Sequence, residues 1–593
     1  MSIRFTAVCC FMVVVVVGRA QSVVEYTLTA APGVASIASG TTIPALLYNG
    51  VLPGPTLTMT LGQTLRLRCV NQLAQPTSLH FHGVNMPSGM DGVIGISRPA
   101  IAPGQEQIYE FVPPESGTYW YHPHVEDQMT SGLYGMLTVH PAAATDDPPF
   151  DQEAAVILHD DTTQAGGMMG GMMGGTAAGF AGHLLNGATS AGQTPIVVQT
   201  GQKLRLRILN AAARASYVVA LDGHPLAVSH ADGRRVVSTS VGAVPIGPGE
   251  RYDAIVDLVN PGVWSLAVAN ITNRNATLVR GVVQYAGSIA PTPAASFVPA
   301  NLATGSLLSY SQLAAFAPTG SIAAAPQRNY PMTLGMTMGG GMGGGMGSMA
   351  FTINGQSWPT ATPFAVNFGE TVQLNFANTT MMMMGSFRHP MHIHGHAWRL
   401  MGTAGGTAAP PVKDTLLIRP VGQAWSSASV QFLADNPGEW VIHCHDVEHM
   451  MMGMMNVFQY GGDADVDGLA NASDWDPLSI YPVLTIPESA AAFAAGASGV
   501  VAVQCAAGTP VDFFFGLPAV APLPLAPFGT LFIDFPTYAG TAVAGAAQRA
   551  DFPYVLPPAS AGLAGVRFGL QAVASVGFPP YALLTTWHPL TLQ

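Results

Sequence analysis

One sequence pattern occurs three times along the chain, and it restricts the fold more than any other feature. Each copy joins an Asn-Gly element to a run of alternating apolar residues: YNG with LGQTLRLRCVN, LLNG with TGQKLRLRILN, and INGQ with FGETVQLNFAN. Alternation of apolar and polar residues with a period of two indicates half-buried β-strands. Three copies of one β unit therefore predict three similar β-sandwiches in a single chain.

The composition agrees with an all-β chain and argues against one class of partner. Only 9% of the residues are charged and 49% are apolar, and 67 Gly and 47 Pro separate short Val-, Leu- and Thr-rich runs. The formal net charge is −12, and Lys and Arg form no cluster along the sequence. We therefore expect no nucleic-acid partner.

The first twenty residues are typical of a secretory signal. Arg4 provides a positive start, Phe5 to Val17 form an apolar segment, and the small residue Ala20 precedes Gln21. No later stretch is long and apolar enough to span a bilayer. We therefore expect an exported protein, periplasmic or extracellular, with no membrane span.

Few cysteines remain once this segment is removed. Cys9 and Cys10 leave with the signal, so that Cys69, Cys444 and Cys505 are retained. Three cysteines are not a disulfide framework, and Cys69 and Cys505 are most simply buried thiols. A bridge between these two is an open alternative.

Ten of the 17 histidines fall in four short clusters. The clusters are SLHFHG with His80 and His82, YWYHPH with His122 and His124, RHPMHIH with His389, His392 and His394, and HCHDVEH with His443, Cys444, His445 and His449. Because side chains alternate along a strand, Cys444 is expected to face away from its two histidine neighbours. A thiolate, imidazoles and a distant thioether such as Met454 form the ligand set of a blue-copper site. If both faces hold metal, the backbone beside Cys444 connects two metal centres.

The four motifs together resemble the signature of the multicopper oxidases, over about residues 45–460. The resemblance implies an all-β fold of three cupredoxin-like Greek-key β-sandwich domains. It does not extend to the residues that follow, whose composition predicts a small C-terminal β-rich domain. It also implies four copper ions: one type 1, one type 2 and a type 3 pair. By this resemblance His389, Cys444 and His449 hold type 1 copper with Met454 axial, His80 and His392 hold type 2, and His82, His122, His124, His394, His443 and His445 hold type 3. His396 matches no ligand position and is interpreted as structural.

Two acidic residues match positions that the family places near the oxygen-reducing site. Asp91 follows His82 in MDG, and Glu448 precedes His449. We expect both to deliver protons and to orient water. The alternative is a turn Asp and a Glu that only orients a ligand.

The domain limits follow from changes in composition. We expect a signal peptide over 1–20, cupredoxin domains over 21–145, 151–287 and 329–460, a linker over 288–328 and a C-terminal β-rich domain over 478–593. Between the last two, residues 461–477 contain a candidate calcium loop with Asp463, Asp465, Asp467 and Asp474 at positions 1, 3, 5 and 12. An acidic surface turn is the alternative interpretation.

The 28 methionines suggest the electron donor. They concentrate in 166–175, 336–349, 381–384 and 449–455, where thioethers beside glycines are suited to Cu(I) rather than to core packing. Together with the resemblance, which implies oxidase activity, this predicts an enzyme that couples oxidation of Cu(I) or phenolic and other small reductants to reduction of O2 to water. The alternative function is a copper-sequestering protein whose methionine tracts are the functional part.

Overall fold

The computed structural model describes residues 22–161, 182–317, 323, 325–338, 349–380 and 387–461, together with the strands beyond residue 482. Several predicted features lie outside the described residues. These are the signal segment, the tracts 166–175 and 381–384, most of the 336–349 tract, and the candidate calcium residues Asp463, Asp465, Asp467 and Asp474.

Domain 1 is a β-sandwich of two four-stranded sheets. Its strands are β1 (Val23–Ala38), β2 (Thr41–Tyr48), β3 (Leu57–Thr60), β4 (Thr64–Asn71), β5 (His80–His82), β6 (Glu106–Phe111), β7 (Gly117–His122) and β8 (Gly135–His140). The sheet orders are β2-β1-β4-β6 and β3-β8-β7-β5. Short helical segments lie at Ser88–Met90, Glu126–Thr130 (α1) and Ala144–Asp146.

Domain 2 is a larger sandwich of the same design. Its strands are β9 (Gln152–Asp161), β10 (Gly182–Leu185), β11 (Ile196–Val198), β12 (Lys203–Asn210), β13 (Tyr217–Leu221), β14 (Leu226–Ala231), β15 (Arg234–Val241), β16 (Val244–Ile246), β17 (Arg251–Asp257), β18 (Val263–Asn270) and β19 (Val279–Tyr285). They form sheets β10-β9-β12-β17-β14-β15 and β11-β19-β18-β13-β16. The connection that follows contains α2 (Ala300–Ala303) and a 3₁₀ helix at Tyr310–Gln312.

Domain 3 repeats the arrangement once more. Its strands are β20 (Arg328–Met338), β21 (Met349–Ile353), β22 (Phe364–Asn367), β23 (Thr371–Asn378), β24 (His389–Ile393), β25 (Trp398–Leu400), β26 (Val412–Lys413), β27 (Thr415–Ile418), β28 (Ser427–Leu433), β29 (Glu439–Cys444) and β30 (Met455–Gly461), with helix α3 (Val447–Met451) between the last two. The sheets are β21-β20-β23-β28-β25-β26 and β22-β30-β29-β24-β27.

The segment beyond domain 3 is also built of strands. They are β31 (Val483–Thr485), β32 (Ser498–Gln504), β33 (Pro510–Pro524), β34 (Thr530–Val543), β35 (Arg549–Val555), β36 (Arg567–Val576), β37 (Tyr581–Leu584) and β38 (His588–Thr591). β31-β32-β35 form one sheet, and β34-β33-β36-β37 form another with β38 paired to β36. The all-β fold class predicted from the sequence is confirmed.

The Asn-Gly elements close equivalent hairpins in the three domains. Asn49, Asn186 and Asn354 have φ of 53°, 48° and 55°, and each is followed by a glycine with φ of 74° or 75°. Two successive positive φ angles are the geometry that favours Asn-Gly in a tight hairpin turn. Each Asn side chain also bonds a neighbouring strand. For example, Asn186 accepts from the Ile157 N–H (2.8 Å) and donates to the Ala155 carbonyl (2.9 Å).

The asparagine that ends each LRLRxxN-type run has the same buried role in all three copies. In domain 2, Asn210 donates from Nδ2 to the carbonyls of Ala215 (2.8 Å) and Ile246 (3.1 Å), and it accepts from the Ala212 N–H (3.0 Å). Asn71 and Asn378 make the corresponding three contacts in domains 1 and 3. The repeated motif therefore satisfies loop backbone groups that would otherwise be buried without partners.

An apolar contact joins all three domains beside the histidine motifs. Trp120 and Met129 of domain 1 pack with Leu209 and Ala213 of domain 2, and Val447 at the start of α3 packs against the same cluster. This contact fixes α3 relative to the other two domains. Among the described residues, no helix is long and apolar enough to cross a membrane.

Replacing Asn210 with Ala should destabilise the chain, because a buried N–H and two carbonyls lose their partner. We expect a loss of about 1–3 kcal/mol in the free energy of unfolding, measured by urea denaturation of the full chain. The exposed Asn275 is the matched control, and Asn275→Ala should change stability by less than about 0.5 kcal/mol. Equal effects of the two variants would contradict the assigned role.

Candidate metal centre

The first two histidine motifs lie on paired strands of domain 1. β5 runs antiparallel to β7, with His80 opposite His122 and His82 opposite Trp120. Phe81 lies between the two β5 histidines in sequence and packs in the core of domain 1. Because side chains alternate along a strand, the burial of Phe81 in that core turns His80 and His82 toward domain 3.

The other motifs lie on paired strands of domain 3. β24 runs antiparallel to β29, with His392 opposite His443 and Met391 opposite Cys444. The two neighbours on β29 then join different groups: His443 lies with histidines from both domains, and Cys444 lies with His389 and the α3 histidine. The structure thus separates Cys444 from His443 as strand alternation predicts.

Eight histidines of domains 1 and 3 form one buried cluster between the domains. They are His80, His82, His122, His124, His392, His394, His443 and His445, of which only His124 is partly exposed. Rings of the two domains stack directly, with centroids 3.6 Å apart for His82 and His392 and 3.9 Å apart for His80 and His394. No histidine of domain 2 belongs to this cluster.

Hydrogen bonds at Nδ1 turn the Nε2 atoms of most of these rings toward the cluster. Nδ1 contacts an oxygen of Asp91 for His80 and His394, of Pro123 for His122, of Asp414 for His392, and of Cys444 for His443, all at 2.9–3.0 Å. Such contacts fix the tautomer and orientation of metal-ligating histidines. His82 is turned the other way, with Nε2 on Asp414 and Nδ1 toward the cluster.

The atoms that face the cluster suit metal ions. Nε2 of His80, His122 and His392, Nδ1 of His82 and both ring nitrogens of His445 are buried without a hydrogen-bond partner. A buried polar atom without a partner costs about 1–3 kcal/mol, and metal coordination removes that cost. Several groups of three donors lie within 4.8 Å of one another. The residues present therefore fit bound copper.

The cluster also favours the neutral form of its imidazoles. Burial, followed by the charges of neighbouring histidines, lowers the pKa of His122, His392 and His443 well below the ordinary value. Burial lowers the pKa of His445 to about 3. Because metal ions bind the deprotonated ring, these four histidines are in their binding form over the physiological pH range.

A second group surrounds the Cys444 thiol. Its Sγ lies 3.8 Å from Nδ1 of His389 and 3.5 Å from Nδ1 of His449. Thr380 Oγ1 contacts Nε2 of His389 at 3.0 Å, which keeps Nδ1 directed at the sulfur. Met454 is fully buried, and its carbonyl accepts the Cys444 N–H at 3.0 Å. Burial raises the pKa of the Cys444 thiol, whereas a bound metal ion deprotonates a coordinating thiol.

Two aromatic rings pack against His449 of this group. Phe351 on β21 lies 4.0 Å from the His449 ring between centroids, and Phe387 lies at 5.3 Å. The Phe351 N–H donates to the Met452 carbonyl after α3 (2.9 Å), so that β21 is attached to the helix that carries His449. His449 is only 2% exposed as a result.

Asp91 lies at the histidine cluster. Its Oδ1 is 3.1 Å from Nδ1 of His80, and its Oδ2 is 2.9 Å from Nδ1 of His394. Burial opposes ionisation of this carboxyl, but the adjacent His394 and His80 hold the pKa of Asp91 below its ordinary value. Asp91 therefore links one histidine of each domain as a carboxylate.

Glu448 has a different environment from Asp91. It lies on α3 and pairs with Arg214 of domain 2, with Oε2 2.5 Å from Nη1. The α3 N-cap, Asp446, is 3.9 Å from the same guanidinium. Burial raises the pKa of Asp446 to about 7, although the charge of Arg214 acts in the opposite direction. Sequence reasoning missed Arg214, because no local pattern connects it to a residue more than 200 positions later.

Sequence reasoning also missed Asp414. Its Oδ1 lies 3.2 Å from Nε2 of His82, and its carbonyl accepts from Nδ1 of His392 at 2.9 Å. It stands between β26 and β27 in VKDT, where no spacing relates it to the histidine motifs. His396, interpreted as structural, contacts the Tyr460 hydroxyl at 2.6 Å.

Family models match most of the chain. Models described as multicopper oxidase match residues 29–144, 155–288 and 330–463. Among curated relatives, the multicopper oxidase MmcO of Mycobacterium tuberculosis is 32% identical, over 74% of this chain and 87% of the relative. Laccase-4 of Trametes villosa is 27% identical, over 74% of this chain and 90% of the relative.

Solved structures show the same fold. Fet3p, described as a multicopper oxidase that functions in iron import, matches with a TM-score of 0.62 at 20% identity, over 74% of this chain and 90% of that one. The laccase from Botrytis aclada matches with a TM-score of 0.61 at 23% identity, over 74% and 88%. The chain therefore belongs to the multicopper oxidase family, which makes it a copper-dependent oxidoreductase that uses oxygen and implies four copper ions.

Proposed function

We propose that this oxidase accepts single electrons from Cu(I) or from phenolic and other small organic reductants, and that it reduces O2 to water. In the proposed assignment His389, Cys444, His449 and axial Met454 hold type 1 copper, His80 and His392 hold type 2, and His82, His122, His124, His394, His443 and His445 hold the type 3 pair. When bound, the four ions supply one-electron acceptance at one end of the site and four-electron delivery to oxygen at the other.

One observation carries the proposal: a single strand end serves both groups of ligands. Cys444 belongs to the thiol group, while its neighbours His443 and His445 belong to the histidine cluster. The His443 ring also bonds the Cys444 carbonyl, with Nδ1 at 2.9 Å. The chain thus provides a covalent and a hydrogen-bonded connection between the groups, as an electron path requires.

Oxygen reduction also needs protons and space for O2. We assign Asp91, which lies between His80 and His394, and Glu448, which is partly exposed on α3, to proton delivery and water orientation. A cavity of about 20 Å³ adjoins the histidines, enough for a water molecule. Its lining consists of His122, Pro123, His124, Val125, Met129, His443, Cys444, His445, Val447 and Met450. The apolar part of this lining favours dioxygen.

The donor side is shaped by the β20–β21 hairpin. Met338 and Met349 are paired in register, so residues 339–348 connect two strands whose base carries Phe351 against His449. This segment contains Met342 and Met346, and thioethers are soft ligands for Cu(I). We therefore propose Cu(I) as a donor and expect bulky phenols to meet an obstructed His449.

The second candidate function is copper sequestration without turnover, which the methionine tracts favour. Oxygen consumption distinguishes the two functions, measured by an oxygen electrode with Cu(I) or a phenol as donor. We expect consumption with at least one donor. Copper uptake without oxygen consumption would refute the oxidase proposal. For localisation, residues 1–20 support export to the periplasm or the extracellular space.

Replacing Cys444 with Ser should abolish the blue thiolate-to-copper absorption and the oxidase activity, because Cys444 is the one thiolate in these motifs. Copper should still load at the histidine cluster, which can be checked by copper counting and by the near-ultraviolet absorption of the type 3 pair. A blue band that persists in this variant refutes the type 1 assignment.

Replacing Glu448 with Gln should slow reoxidation by O2 and leave reduction by the donor nearly unchanged, because only oxygen reduction consumes protons. A general acid contributes about 10²–10⁴-fold to rate, and stopped flow would resolve the two half-reactions. Glu370→Gln is the matched control, since Glu370 also pairs with an arginine in domain 3 but lies away from the site. Unchanged reoxidation would leave Glu448 with an orienting role only.

Replacing residues 339–348 with Asn-Gly should keep the hairpin and remove its extension, because Asn-Gly joins paired strands directly. We expect lower turnover with Cu(I) and equal or higher turnover with a bulky phenol in steady-state assays. The double variant Met342→Leu, Met346→Leu keeps the length and removes the thioethers, so it should lower Cu(I) turnover alone. Equal loss with both donors in both variants would show that the segment is structural.

A further inference from the structure

Domain 2 reaches the histidine cluster through one tight turn, Gly247 to Arg251. Gly249 has φ of 84°, and a Cβ added there would lie 3.0 Å from Cε1 of His82 and 3.1 Å from Cδ2 of His445. The backbone of domain 2 is therefore packed directly against two histidines of the other domains. A glycine is required both for the left-handed conformation and for this close approach.

Arg251 continues from this turn into a buried pair with domain 3. Its Nη1 and Nη2 lie 2.6 and 2.8 Å from the two carboxylate oxygens of Asp414, and its Nε donates to the Thr118 carbonyl of domain 1 at 3.0 Å. Both side chains are fully buried. A bidentate arginine–carboxylate pair fixes geometry as well as charge.

Asp414 in turn contacts two histidines of the cluster. Its Oδ1 contacts Nε2 of His82, its carbonyl contacts Nδ1 of His392, and the neighbouring Thr415 Oγ1 lies 3.0 Å from the same nitrogen of His82. One residue of domain 3 therefore orients a histidine of domain 1 and a histidine of its own domain, and it is itself held by domain 2.

Further buried groups keep the pair in place. Asp232 of domain 2 accepts from the backbone N–H of Thr415 at 3.0 Å and from Lys413 Nζ at 3.1 Å, and Lys413 also pairs with Glu250 at 3.1 Å. The packing around Arg251 is also tight at Gly83, which directly follows the HFH motif. A Cβ there would lie 2.3 Å from Nη2 of Arg251.

We propose that domain 2 is a positioning element of the trinuclear site, which is the site of the type 2 copper and the type 3 pair. Arg251 holds Asp414, and Asp414 orients His82 and His392 for copper. This inference rests on the proposed function, because it assumes that those histidines bind the cluster coppers. The competing interpretation is an ion pair that only joins the domains. It predicts that loss of the pair lowers stability without changing the affinity for copper.

The test compares Arg251→Lys and Asp414→Asn with Arg205→Lys in the full chain. Arg205 is an equally buried arginine of domain 2, paired with Asp253 (2.6 Å) and Asp147 but away from the cluster. Copper-loaded proteins are titrated with EDTA, and the cluster coppers are followed by the type 2 electron paramagnetic resonance signal and the type 3 absorption. The blue type 1 band reports in each sample that domain 3 is folded.

We expect Arg251→Lys and Asp414→Asn to lose the cluster coppers at about 10–100-fold lower EDTA concentration while the blue band persists, as for other outer-shell partners of metal ligands. Arg205→Lys should lose the cluster coppers at the same midpoint EDTA concentration as the wild type. Wild-type midpoints in both site variants, or parallel loss of all coppers in all three variants, would overturn the inference. If Arg251→Lys does not fold, Asp414→Asn, which preserves size and shape, decides alone. A wild-type chain without the blue band or O2 turnover would refute the proposed function instead.

Discussion

The interface between domains 1 and 3 depends on ring nitrogens that the protein leaves without partners. Stacked pairs such as His82 with His392 bring neutral imidazoles together, and six of the inward-facing nitrogens find no hydrogen bond. At about 1–3 kcal/mol for each unpaired atom, bound metal ions would remove a cost that this contact otherwise carries. Metal binding and association of the two domains are therefore coupled. The three-domain arrangement is best understood as a frame that holds these rings close together before metal binds.

Domain 2 shows how one repeat unit changes its role. In the sheet orders, β13 takes the place that β5 has in domain 1 and β24 has in domain 3. Where domain 1 has the HFH motif, domain 2 has buried apolar residues, and Val218 and Ala220 pack against Leu302 of α2. The Asn-Gly turn and the buried Asn210 are retained. Domain 2 therefore keeps the residues that the sandwich needs and has no His-x-His motif on β13.

The sequence was sufficient for everything that strand geometry decides locally. The period-two runs predicted the sandwiches, and the alternation at Cys444 predicted two opposite groups. It could not supply contacts that depend on how the domains pack. Asp414 lies 332 positions from His82 and 163 from Arg251, and Arg214 meets Glu448 across another domain boundary. Such pairs follow from tertiary packing, and no spacing in one sequence encodes them.

The order of the ligands along the chain determines when a copper site can first exist. The histidine group formed by His80, His392 and His394 combines residues more than 300 positions apart, and the thiol group needs β24, β29 and α3 together. A growing chain that has formed only domain 1 presents His80, His82, His122 and His124 without their counterparts. The histidine cluster is complete only after His445, and the thiol group only after His449. The metal centre can therefore be completed only after synthesis has reached the end of domain 3 and after domains 1 and 3 have come into contact.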